Sequence, residues 1–139
     1  MKIPRALLVL ILMLSAQVAV WAEETLEVEE LVKTSQSWDG SALVAYPEGT
    51  PEVTILKITI PPKFKLPTHR HPMINAGGLL SGELTVTTIE GKTLHMTAGD
   101  PIVEVVNNWH HGVNEGDTPA VIIVVYAGAQ GLPLSVKQE

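Results

Sequence analysis

The sequence predicts an all-β chain, folded as a sandwich or barrel of short strands. Three observations lead there. Runs of β-branched residues recur along the chain, turn-forming pairs separate them at regular intervals, and no useful helical run follows residue 36. With 139 residues there is room for one small domain. A hydrophobic fraction of 45% argues against disorder, and a chain without cysteine has no disulfide framework, thiolate metal site or Cys nucleophile. The net charge of -6, with no basic stripe, argues against nucleic acid as a partner.

Taken in order, the elements begin with a segment outside the fold. Lys2 and Arg5 precede an apolar run from Ala6 to Val20, and Val20 and Ala22 fit the small-residue rule of a cleavage site. Residues 1–22 therefore read as a secretory signal peptide, with the mature chain periplasmic or secreted and without a stable membrane anchor. An uncleaved anchor is the alternative, against which the run is shorter than the ~20 residues that span a bilayer. Residues 23–39 are acidic and read as an N-terminal arm or edge strand, with Leu26, Val28, Leu31 and Val32 expected to pack on something.

The barrel is expected over residues 40–127. Residues 53–60 (VTILKITI) form a first strand by propensity and partial alternation. Residues 83–89 and 92–96 form a hairpin turning on Glu90-Gly91. Residues 101–106 and 120–126 are two more strands, and the run Val121 to Val125, apolar on both faces, belongs in the middle of a sheet. Residues 128–139 read as a loose C-terminal tail.

The histidines carry the chemical information. His69 and His71 are two apart, so in a strand they share a face. Asn75 follows with the same parity, and Gly82 comes seven later. Downstream, Gly99-Asp100 opens a strand, His110 lies near its far end, and Asn114 is four beyond. His111 has the opposite parity and His95 stands alone, so both are expected outside the pocket. No phosphate-binding loop, GxGxxG, GxSxG or HExxH is present.

These residues resemble the two motifs of the cupin superfamily. His69-Arg70-His71, three residues, Asn75, six residues and Gly82 match the first motif, with Asn75 where the family often carries a metal-binding Glu. Gly99, His110 and Asn114 match the second, with Val105 and Asn107 replacing its usual Pro and Gly. The resemblance implies a small single-domain cupin β-barrel, a double-stranded β-helix of the jelly-roll type, and for this size a homodimer. It also implies one divalent transition metal (Fe, Mn, Zn, Ni or Cu) held by His69, His71 and His110, with Asn75 at an uncertain fourth position. Three neutral imidazoles suit these metals. An amide is a weak ligand, so Asn75 is expected to hydrogen-bond a metal-bound water or the substrate. Some cupins keep the motif and bind no metal; the histidines would then line a polar pocket.

The function implied is that of a metal-dependent dioxygenase, isomerase or lyase on a small oxygen-rich molecule, dicarbonyl or phenolic. The alternatives are a non-catalytic cupin binding a small ligand or a metal, and a purely structural role. Around the site, Met73, Ile74, Leu79 and Val86 are expected to line the barrel. Trp38 and Trp109 are expected to seal the core or a dimer interface, and Arg70 to face away. Glu83 and Glu104 are acids near the motifs, and both read as surface charges.

Overall fold

The computed structural model describes residues 25–138; the expected signal peptide lies outside them. No helix forms among the described residues, and none could therefore cross a membrane there. Nine strands follow one another: β1 (Pro51–Ile60), β2 (His69–Arg70), β3 (Asn75–Ser81), β4 (Glu83–Thr88), β5 (Thr93–Thr97), β6 (Pro101–Val103), β7 (His110–Val113), β8 (Ala120–Ala129) and β9 (Val136–Lys137). They form two antiparallel sheets, in the orders β1-β8-β3-β6 and β5-β4-β7-β2-β9. The sheets face each other as a jelly roll and do not join into one closed ring of hydrogen bonds. A parallel bridge from His71 to Val106 ties the segment after β2 to the segment after β6.

Strand alternation builds the core. Along β8, Ala120, Ile122, Val124 and Tyr126 are buried and point inward, while the residues between them face outward. β8 lies between β1 and β3, the central place that its apolar character on both faces requires. From the opposite sheet, Leu84 and Val86 of β4 meet this layer. Each Ile, Leu or Val side chain of this layer, once buried, contributes about 1.5–3 kcal/mol. The expected hairpin forms as β4 and β5, with Thr87 opposite Thr93 and Gly91 in the turn.

Gly82, the last residue of the first motif, adopts φ +76°. A Cβ there would lie 2.6 Å from Pro119 O, so both the backbone conformation and the space require glycine.

Three expectations change. The strand expected over residues 101–106 stops at Val103, because its partner β3 begins at Asn75, and beyond Glu104 the chain leaves that ladder for a bridge from Val106 to His71. The tail is not loose: β8 runs on to Ala129, and β9 pairs with β2, placing Lys137 opposite His69. Residues 25–39 form no named strand, although Trp38 N donates to Val103 O at 2.9 Å, and Leu26, Val28, Leu31 and Val32 are exposed in the single chain. Met73 and Leu79 are fully buried in the core but do not line the central cavity, whereas Val86 does.

Candidate metal centre

The pairing of β2 with β7 sets His69 directly opposite His110. His71 follows two residues after His69 and points to the same side. The three rings cluster, with centroids 4.9 Å apart for His69 and His71, 4.5 Å for His69 and His110, and 5.2 Å for His71 and His110. One ring nitrogen from each lies within 4.8 Å of the others. His110 is 1% exposed and His71 is buried, while His69 is half-buried.

Each ring is oriented by a backbone carbonyl. Nδ1 of His69 donates to Pro67 O at 2.8 Å, that of His71 to Leu134 O at 2.7 Å, and that of His110 to Asn108 O at 2.9 Å. A carbonyl oxygen can only accept, so each Nδ1 carries the hydrogen and each neutral ring keeps its lone pair on Nε2. His110 Nε2 is buried and has no hydrogen-bond partner. Such an orphan is costly unless something positive meets it. Three imidazoles, each with Nδ1 occupied and Nε2 free, have the chemistry of a divalent-metal site. Burial favours the neutral form of two of the rings: it lowers the His69 pKa and pushes that of His71 down to about 4, against the partial support of their carbonyl partners.

The cluster opens into a cavity of about 370 Å³, lined largely by aliphatic side chains of both sheets, including Leu56, Ile58, Leu84 and Ile122. Asn75 is buried in the same lining, where its Nδ2 makes only a long contact to Met73 O at 3.4 Å. Asn114, the last residue of the second motif, is not in the cavity. It is a structural clamp: its Nδ2 donates to Ile60 O, Pro61 O and Thr118 O, and its Oδ1 accepts from Gly116 N. His111 and His95 lie outside the cavity lining, and His95 sits beside the Thr85 hydroxyl at 2.9 Å on an exposed face. Arg70 stacks over Trp109, 5.2 Å from its ring centre, as its outward parity implied.

Glu104 is the main correction. Glu83 is exposed, as expected, but Glu104 is buried and lines the cavity. Its Oε1 accepts from Trp38 Nε1 at 2.7 Å and from Val105 N at 2.8 Å, and its Oε2 lies 3.6 Å from His110 Nε2. Trp38 therefore does more than pack against the core. Sequence reasoning missed Tyr126, Leu134 and Lys137 as well, all of which line the cavity. For Glu104 a signal existed: it has the parity of the buried Ile102 and interrupts an apolar run. For the tail residues there was none, because the partner of β9 is β2, near the middle of the chain.

Comparison with known proteins agrees with this geometry. Residues 56–126 match the family model described as the cupin domain. No curated protein matches the chain in sequence. Among solved structures, a recombinant oxalate oxidase in complex with glycolate is 25% identical, with a TM-score of 0.53, over 61% of this chain and 45% of that one. The DMSP lyase DddQ from Ruegeria pomeroyi DSS-3 is 19% identical (TM-score 0.55, 62% of this chain and 43% of that one). An uncharacterized conserved protein with a double-stranded beta-helix domain, from Klebsiella pneumoniae subsp. pneumoniae MGH 78578, is 18% identical (TM-score 0.52, 81% and 100%). The chain spans less than half of the oxidase and lyase chains. The last two likenesses speak to the fold alone.

Proposed function

The chain belongs to the cupin domain family, and on that premise we propose that it holds one divalent transition metal on His69, His71 and His110. We take it to act there on a small oxygen-rich molecule, dicarbonyl or phenolic, as a dioxygenase, isomerase or lyase. The observation that carries this reading is the set of three rings whose Nδ1 atoms are tied to carbonyls, leaving three Nε2 lone pairs together at the cavity. When bound, the metal supplies Lewis acidity, polarising a carbonyl or phenolic oxygen.

The chain's own residues supply the rest. The aliphatic walls exclude water, which strengthens every polar interaction inside. Burial, with the nearby Glu104 charge, raises the Tyr126 pKa, so its phenol stays a hydrogen-bond donor. Lys137 lines the cavity with an exposed side chain and favours an anionic ligand. The glycolate complex of the oxalate oxidase supports a small oxygen-rich acid as the ligand class.

The proposal includes export through residues 1–22 and a second copy of the chain as partner. Leu26, at 91% exposure, and Val28, at 83%, are apolar residues left uncovered among the described residues.

Elemental analysis of protein purified without chelators, and reloaded in parallel with Fe(II), Mn(II), Zn(II), Ni(II) and Cu(II), tests the reading. One metal per chain, lost in His69→Ala and in His110→Ala, is expected. No metal under any loading overturns it. Turnover of dicarbonyl or catechol-like compounds by the loaded protein then separates an enzyme from a non-catalytic binder.

A further inference from the structure

We propose that Glu104 is the anionic fourth ligand of the metal centre, supplying from the neighbouring strand the carboxylate that Asn75 lacks. The inference rests on the three-histidine reading above and adds to it a residue on a different element.

Placement comes first. Ala76 pairs with Val103 and Gly77 with Ile102, so the register of β3 against β6 continues to Asn75 opposite Glu104. Glu104 N donates to Asn75 O at 3.0 Å, which fixes that pairing. Directly opposed residues of antiparallel strands project to the same face. A carboxylate at position 104 therefore enters the same cavity as one at position 75 would.

Orientation comes next. Oε1 is held by two donors, Trp38 Nε1 and Val105 N, while Oε2 is turned toward His110 Nε2 at 3.6 Å. Val105 stands where the second cupin motif usually has proline, and proline has no N–H to give. The departure from the motif thus supplies one of the two donors that aim the carboxylate.

Charge decides the assignment. His110 donates its Nδ1 hydrogen to Asn108 O, so its buried Nε2 presents a lone pair to a carboxylate oxygen. Two acceptors facing each other in a dry site repel unless a cation lies between them. A proton on His110 would satisfy that one pair and leave the Nε2 atoms of His69 and His71 unused. A divalent ion held by the three Nε2 atoms, which lie within 4.8 Å of one another, would satisfy all three and draw the Glu104 carboxylate in from its place beside His110. One carboxylate beside three imidazoles lowers the charge of the centre to +1, leaving it attractive to an anionic ligand, and oxygen ligation favours Mn(II) over softer ions.

Titration of the metal-free protein with Mn(II), followed by electron paramagnetic resonance, tests the assignment in four forms: wild type, His71→Ala, Glu104→Gln and the exchange Asn75→Glu with Glu104→Asn. Glutamine keeps an acceptor for Trp38 and Val105, so near-ultraviolet circular dichroism should hold while Mn(II) affinity falls at least about tenfold. The exchange should return affinity to the wild-type level, and it also decides the matter should Glu104→Gln fail to fold. Wild-type affinity in Glu104→Gln, or an exchange that folds yet binds no better than His71→Ala, overturns the role of Glu104 alone. A wild type that takes up no Mn(II) overturns it together with the metal centre.

Discussion

The backbone N–H of Glu104 donates to Asn75 O at 3.0 Å, so these two residues, far apart in sequence, are cross-strand neighbours at the edge of one sheet. Asn75→Glu would set two carboxylates side by side. In the metal-free chain they repel, and thermal stability above about pH 5 is expected to fall. Mn(II) should then raise the melting temperature of the variant more than that of wild type. Calorimetry with and without Mn(II) measures both, and equal shifts would mean that position 75 does not face the metal.

Burial makes the metal-free chain acid-sensitive. The ordinary histidine pKa is 6.5, and His71 in the fold sits at about 4. As pH falls from 6.5 to about 4 the unfolded chain takes up a proton that the folded chain does not, so stability is lost across that window and levels below it. His71 accounts for about 3 kcal/mol of this, and His69 acts in the same direction. Denaturant unfolding at a series of pH values should show the decline in wild type and a much smaller one in His71→Ala.

The C-terminal strand helps to form the site. Removing residues 132–139 deletes Leu134 O, which orients His71, and β9, which covers β2. β2 still pairs with β7, so the fold should persist while Mn(II) affinity drops about 10- to 100-fold. Unchanged affinity in the truncated chain would remove the tail from the site.

Asn114 belongs to stability. Asn114→Ala takes a donor from Ile60 O, Pro61 O and Thr118 O and a partner from Gly116 N, and should cost about 2 kcal/mol in denaturant unfolding. Metal stoichiometry of the folded fraction should stay at the wild-type value; its loss would mean that Asn114 also shapes the centre.

At Gly77 the backbone of β8 leaves no room for a side chain. A Cβ there would lie 1.9 Å from Ile123 O, so Gly77→Ala must push the two backbones apart. A loss above about 3 kcal/mol, or failure to fold, is expected from the same unfolding measurement.

Local pattern was enough to determine several of these features. The β-branched runs gave the strands, because propensity and alternation act between near neighbours. The spacing of His69 and His71 put them on one face, and the two motifs marked His110 as their companion, which the pairing of β2 with β7 then places opposite His69. The apolar run at Val121 to Val125 marked a central strand. Non-local pairing decided the rest. Whether Glu104 is a surface charge or a cavity carboxylate depends on which strand β6 joins and in what register, here β3 with Glu104 bonded to Asn75. The tail reads from sequence only as loose chain, because β9 is a strand by virtue of β2 lying beside it. A short segment gains too little from its own residues to fix its conformation, and the partner that fixes it lies elsewhere in the chain.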